Sequence, residues 1–280
     1  MIALVYSKQD PAGSGAAAKI SELAGVTGDC EVKRAGATCV KMGVENALLV
    51  GFNEDVLDFW FLDEAIPSVE AYVVLSRHSA TSGKPTLSLH YPGNPFPEPS
   101  HGARARELAW TWPLLFKLLA TSYYRLARER GLLEQGYEFT LEATHHGPTN
   151  LARPVIFIEI GSTPRQWADG QAQRAMAEAV LDALEKLGSQ GAGEAECRPA
   201  IGVGDTHYPK KHTKLILESD LCYGHIFAKY ALEHLDEEIL VQAVRKSVQE
   251  IKAVVLAKVP SRISKTVKHV AGKLGLDVVS

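Results

Sequence analysis

The chain has 280 residues, of which 46% are hydrophobic and 22% charged, the balance of a globular protein with a sizeable core rather than a disordered one. A formal net charge of −3 and a pI near 6.4 exclude a globally basic nucleic-acid binder and leave room only for a local basic patch. Cys30, Cys39, Cys197 and Cys222 form no C-x-x-C and lie in unrelated segments, so reduced, mostly buried thiols are expected rather than a disulfide framework or a thiolate zinc site.

Residues 2–6 predict a buried strand, too short for a signal-peptide core and without a basic flank. No apolar run approaches a membrane span, so a soluble, cytoplasmic protein is expected. A turn at Ser7-Lys8-Gln9-Asp10-Pro11 leads to an alanine-rich helix near 15–23, and short strands follow near 39–42 and 47–50. Residues 71–75 are a continuous apolar strand ending at Ser76-Arg77-His78. Residues 86–91 alternate, with Leu87, Leu89 and Tyr91 on one face and Thr86, Ser88 and His90 on the other, the pattern of a half-buried strand. The stretch 92–111 has no periodicity and suits a lid or binding loop.

Trp112-Pro113 opens a helix whose stripe is Leu115, Leu118, Leu119, Tyr123 and Leu126, stopping near Gly131. Residues 137–144 alternate again: Tyr137, Phe139, Leu141 and Ala143 face one way, and Glu138, Thr140, Glu142 and Thr144 the other. The β-branched and aromatic run 155–160 predicts a central strand covered on both faces. A helix over about 165–187, an exposed loop at 188–196, and a short strand at 200–203 follow. The remainder reads as a helical stretch over 224–248 broken near Asp236, a helix over 261–274, and an edge strand at 276–279. This interleaving predicts one α/β domain over 1–280, a mixed and mostly covered sheet with helices on both faces.

Of ten histidines, His78, His90, His145, His146, His207, His212 and His225 lie at or just past predicted strand ends or in Gly-rich turns. Ligands bind outside the carboxyl ends of strands in open α/β sheets. A single loop histidine is ordinarily a surface or capping residue, but the group marks a pocket. The densest cluster is Glu142-Ala143-Thr144-His145-His146-Gly147-Pro148. On a strand Glu142, Thr144 and His146 share a face and His145 points away unless the turn redirects it. A carboxylate at this spacing can orient an imidazole as a base or complete a metal site.

Glu159 sits inside the apolar run 155–160, where an unpartnered carboxylate costs several kcal/mol, so it needs an Arg, a His or a metal. In Gly161-Ser162-Thr163-Pro164 a helix cap and a set of donors for a developing oxyanion are equally good accounts of Ser162 and Thr163. The Gly202 to Tyr208 turn is a weak phosphate loop, lacking the G-x-x-x-x-G-K-[ST] spacing. Lys210, Lys211 and Lys214 follow it; beside Tyr208 they could track phosphates while the ring stacks a terminal base, or they form a solvated charge run. No H-E-x-x-H or G-x-S-x-G occurs, which leaves water activated by His, carboxylate or metal as the route to an ester.

Ser76-Arg77-His78, Glu142 to Pro148, Glu159-Ile160-Gly161-Ser162-Thr163, the Gly202 to Tyr208 turn and Gly224-His225 through Ala228-Lys229-Tyr230 together resemble the archaeal-type D-aminoacyl-tRNA deacylases, in order and spacing over nearly the whole chain. The resemblance implies hydrolysis of the ester between a D-amino acid and tRNA. It also implies a zinc requirement and a fold partly similar to peptidyl-tRNA hydrolases and zinc carboxypeptidases. Two departures stand out: the family pattern has Gly at the place of Asp205, which adds a carboxylate beside His207, and the segment with Arg104 and Arg106 falls outside the match.

Glu142, His145 and His146 are expected at the centre of the chemistry, with His78, His90, Glu159 and His207 next, and Thr163 or backbone amides stabilising the oxyanion. Zinc ligands are expected among His78, His146, Glu159 and His207. Arg77, Tyr208, Lys210, Lys211, His225 and Lys229 are expected to contact D-aminoacyl-tRNA, in a monomer without a membrane partner. The rivals are a zinc amidohydrolase or peptidase on small substrates and a non-catalytic tRNA-binding module. Buried titratable groups argue against the latter.

Overall fold

The apolar runs of the sequence become the innermost strands. A computed structural model describes residues 1–44, 46–189 and 197–280. In chain order it contains β1 (Ile2–Ser7), α1 (Pro11–Ala24), β2 (Val26–Asp29), β3 (Thr38–Met42), β4 (Ala47–Phe52), a 3-10 segment (Val56–Phe61), α2 (Leu62–Ala65), β5 (Ala71–Ser79) and β6 (Thr86–His90). The short pair β7 (Gly93–Asn94) and β8 (Glu107–Leu108) precedes α3 (Pro113–Glu129), β9 (Glu138–Leu141), β10 (Val155–Ser162), α4 (Pro164–Trp167) and α5 (Gly170–Ser189). The last part holds β11 (Arg198–Gly204), α6 (Lys210–Glu218), β12 (Leu221–Phe227), a 3-10 segment (Lys229–His234), α7 (Glu237–Arg245), β13 (Ala253–Ala257), α8 (Ser261–Leu274) and β14 (Asp277–Val279).

The strands form an eight-stranded sheet in the order β2-β3-β4-β1-β5-β10-β6-β9 and a four-stranded sheet in the order β12-β11-β13-β14. Around β1, β5 and β10 the large sheet is parallel, and β6 enters antiparallel to β10. The small sheet is parallel throughout. Helices α1, α3 and α5 bury one face of the large sheet, and α3 also packs on β12, so one apolar core runs from Leu4 through Leu119 to Val255. The 3-10 segment Val56–Phe61 and α2 cover the opposite face around Phe52 and Phe157. Helices α7 and α8 close the outer face of the small sheet. The α/β architecture and the mixed sheet with helices on both faces are as predicted.

Several expectations are corrected. The stretch 224–248 is not one helix: its start belongs to β12, buried along its length and paired with β11, because Tyr223, His225 and Phe227 are covered as well as their neighbours. The helix begins only at Glu237, where the Asp236 side chain caps it. The helix over 165–187 is two, parted where the Asp169 carboxylate accepts the N–H groups of Gln171 and Ala172. Strand β6 is buried on both faces, its polar face lying under the site and not under water. The cysteines pair as Cys30–Cys39 and Cys197–Cys222. Sequence separation hid both pairs, since β2 returns antiparallel on β3 and β11 starts beside β12. Most of the loop expected at 188–196 lies outside the described residues.

Candidate active site

Strand pairing sets the floor of the site. Glu159 on β10 sits opposite Ser76 on β5 and Ser88 on β6, and the Ser76 hydroxyl donates to its Oε1 at 2.6 Å. His78 lies two residues on, at the carboxyl end of β5, and His90 at the end of β6. Gly161 is required beside it, because a Cβ there would come within 2.7 Å of the His78 ring. The chain beyond β9 then crosses from one sheet to the other: Glu142 N–H donates to Leu89 O, Ala143 N–H to His207 O and Thr144 N–H to Ile226 O. The crossing frees this segment from strand alternation. His145 therefore does not point away from Glu142; its Nε2 lies 3.8 Å from Glu142 Oε2.

Two buried carboxylates share one imidazole. His78 Nδ1 is 3.2 Å from Glu142 Oε1 and 3.4 Å from Glu159 Oε2, and its Nε2 meets the Tyr208 hydroxyl at 2.9 Å. Burial opposes charge on His78, but the Glu159 hydrogen bond and the charges of both carboxylates prevail and raise it to about 9. Burial likewise would raise Glu142, yet the His207 hydrogen bond and the positive field of His78 hold it well below the usual carboxylate range. Glu159 is pushed up, by burial and then by the like charge of Glu142. His207 Nε2 is 2.9 Å from Glu142 Oε2, and its Nδ1 meets the Tyr230 hydroxyl at 2.9 Å.

The other three histidines form a different group. His90, His145 and His146 cluster with ring centroids 4.1 to 4.6 Å apart, tilted or edge-on to one another. Each Nδ1 is anchored to a backbone carbonyl, on Tyr91, Ala143 and Gly147 respectively, at 3.2, 2.8 and 2.7 Å. A carbonyl accepts only, so each Nδ1 carries the proton and each Nε2 presents a lone pair. Burial keeps all three neutral: His145 falls to about 4 against the pull of the Glu142 charge, His146 to about 3, and His90 well below its usual value.

One ligand atom from each of His90, His145 and His146 lies within 4.8 Å of the others; Glu142, His145 and His207 form a second such group, and His78, Glu142 and Glu159 a third. The expected ligands His78, His146, Glu159 and His207 are therefore not one set. His90 Nε2 is buried without a hydrogen-bond partner among the described residues. An orphaned imidazole nitrogen beside two others, each fixed by a second-nitrogen hydrogen bond, is the donor set zinc takes.

A cavity of about 730 Å³ opens over this centre, lined by Arg77, His78, His145, His146, Glu159, His207 and Tyr208. Val56, Leu57 and Phe96 provide its apolar wall, and Asp10 and Asp55 flank Arg77. Thr163 stays outside: its hydroxyl donates to Gln166 Oε1 at 2.6 Å, which favours the capping role. His225 is buried between Thr144 Oγ1 and Ala109 O, away from the cavity, and His212 is buried against Tyr223. Lys211 Nζ donates to Leu256 O, while Lys210 and Lys229 are exposed. The Asp205 carboxylate turns from His207 to accept the Lys211 N–H in the first turn of α6. Phe96 is a site residue that sequence reasoning did not single out, and Tyr230 was named there only as part of the family motif; Phe96 lies in irregular backbone and Tyr230 in the short 3-10 segment Lys229–His234, where no periodicity marks a side chain's direction.

The D-aminoacyl-tRNA deacylase model matches residues 66–279. The chain belongs to that family. A D-aminoacyl-tRNA deacylase of Hyperthermus butylicus is 47% identical over 99% of both chains, and one of Staphylothermus marinus is 43% identical over 87% of this chain and 85% of its own. One of Archaeoglobus fulgidus is 36% identical over 75% and 72%. The crystal structure of a conserved protein of unknown function, AF0625, superposes with a TM-score of 0.86 at 31% identity, covering 100% of this chain and 94% of that one. As a member of a hydrolase family the chain is an enzyme. Among the described residues no helix is long and apolar enough to cross a membrane.

Proposed function

We propose that this deacylase-family chain hydrolyses the ester joining a D-amino acid to the 3′ end of tRNA, releasing both, at the cavity over His145, His146 and His207. The observation that carries the proposal is the set of three neutral imidazoles with convergent free nitrogens beside a buried carboxylate–imidazole chain. His90, His145 and His146 are the residues that would hold zinc. Bound there, zinc would polarise the ester carbonyl and make a water more acidic.

The remaining steps belong to the protein. Glu142 fixes the His207 ring through Nε2, which leaves Nδ1 for the reacting groups in exchange for its contact with Tyr230. His207 Nδ1 takes the proton of the attacking water as the C–O bond forms. It returns that proton to the ribose oxygen as the ester bond breaks. Burial, then the charges of Glu142 and Glu159, push Tyr208 up to about 12, so it remains a phenol able to donate toward the carbonyl oxygen. Arg77 lines the cavity, where it suits a tRNA phosphate. The reading takes a monomer as the active unit, acting in the cytoplasm where tRNA is charged.

D-Tyr-tRNA and L-Tyr-tRNA assayed in parallel test the proposal: faster release from the D-ester is expected. Equal turnover of both, or none of the D-ester, overturns it. Dipeptides and N-acyl amino acids run beside them report the amidohydrolase alternative.

A further inference from the structure

The chemistry above uses the pair of rings beside the cavity, Phe96 and Tyr230, only through one hydroxyl. Phe96, in the stretch between β7 and β8, lines the cavity. Its ring lies 13° from parallel to that of Tyr230, with centroids 6.3 Å apart. Tyr230 is 48% exposed, and His234 packs edge-on against Phe96 at 4.9 Å, steadying that ring. The Tyr230 hydroxyl meets His207 Nδ1, so the two rings begin one side chain from the imidazole that faces the reacting oxygen. The hydroxyl accounts for the contact with His207; it does not account for an apolar surface extended outward by Phe96.

The ester of any aminoacyl-tRNA is carried on the ribose of a nucleoside, so a base must lie close to the reacting oxygen. Unpaired bases are recognised by stacking on aromatic side chains, a contact worth about 1–3 kcal/mol per base. Lys229 adjoins Tyr230 and Lys210 opens α6, both exposed, where the phosphates of the preceding nucleotides would follow. Val56 and Leu57, the rest of the cavity's apolar wall, remain for the amino-acid side chain. We infer that Phe96 and Tyr230 form the stacking platform for the terminal base of the tRNA substrate, holding the ester's ribose over His207. The inference rests on the deacylase proposal and adds to it a binding subsite.

The test compares D-tyrosine esterified to the 3′ oxygen of adenosine with the same ester on the base-less sugar, using Phe96→Leu, which keeps apolar bulk, and Phe96→Trp, which keeps an aromatic face. Phe96→Leu is expected to lower kcat/KM on the adenosine ester about tenfold, through KM, and the base-less ester far less, with Phe96→Trp restoring the difference. An equal loss on both esters would mean that Phe96 holds the amino acid or only packs, and overturns the inference. So does no loss on either. If the wild type cleaves neither these esters nor D-Tyr-tRNA, the deacylase proposal fails on its own. Binding of adenosine 5′-monophosphate then decides the platform, weaker binding by Phe96→Leu supporting it and equal binding overturning it.

Discussion

His78, His90 and Glu159 project from β5, β6 and β10 of the large sheet and are buried, whereas His207 and Tyr208 come from the turn after β11 and Tyr230 from the 3-10 segment after β12, at the carboxyl end of the small sheet, and are partly exposed. The segment from Glu142 to His146 bridges the two, hydrogen-bonded to β6 on one side and to His207 and β12 on the other. Strand residues have neighbours fixed by register, which suits groups that must hold a charge or a metal in one place. Turn residues can exchange a hydrogen bond for a substrate. On the proposed mechanism the large sheet supplies the fixed electrostatics of the site and the small sheet the groups that would meet the ester.

That division predicts unequal losses. His90→Ala should remove bound zinc and lower deacylation at least about 10³-fold, beyond the 10- to 100-fold typical of losing an outer partner of a metal ligand. His207→Asn should lower kcat about 10²-fold, in the range of a lost acid–base group, while keeping its metal. Metal content of the purified variants checks both. Equal loss of zinc in the two would erase the distinction.

The sheets should also differ in what holds them. Cys197–Cys222 closes a separation of 25 residues and Cys30–Cys39 one of 9. Loop-closure entropy makes these worth about 3.5 and about 2.5 kcal/mol. Guanidinium unfolding of the two double-alanine variants should rank them in that order, the small-sheet pair costing more.

Acid should also act on the small-sheet side. His225 on β12 and His212 on α6 are both lowered to about 4 by burial. A histidine whose folded value lies below its unfolded one, near 6.5, stabilises the fold fully above that pH and loses the contribution as pH falls toward 4. By pH 5 each forfeits about 2 kcal/mol. The stability of His225→Gln, measured against pH, should fall less steeply through this window than that of the wild type. Parallel curves would mean that His225 is not held neutral.

Much of this was readable from the sequence, for reasons that mark the boundary of such reading. The run 155–160 fixed a central strand because burial on both faces needs apolar residues throughout, and it exposed Glu159 as a carboxylate in need of partners. Glu142, His145 and His146 were found from their density. Their facing was not, because alternation applies only to a strand and the chain leaves β9 after Leu141. The grouping of His90 with His145 and His146 depends on packing between β6 and a segment about fifty residues away, which spacing does not encode. Tyr230 and Phe96 carried no periodic signal. The disulfides were missed because four scattered cysteines state no pairing.

The smallest effect tests how far the turns of the small sheet belong to the chemistry. Asp205 has φ +71°, a left-handed conformation that costs a non-glycine residue about 1 kcal/mol, less for Asp than for most. Its carboxylate accepts the Lys211 N–H at 3.0 Å, an N-terminal helix contact of about 1 kcal/mol, besides the exposed N–H of the adjacent Thr206 at 2.9 Å. Asp205→Gly removes the strain and the contact together, so stability should change by less than about 0.5 kcal/mol. Asp205→Ala keeps the strain, loses the contact, and should cost about 1–2 kcal/mol. Urea midpoints read both. Deacylation by Asp205→Gly should stay within twofold of wild type, because the carboxylate faces α6 and not His207. A tenfold loss in a variant of unchanged stability would place that carboxylate in the working set of His207 and shift the boundary between turn and site.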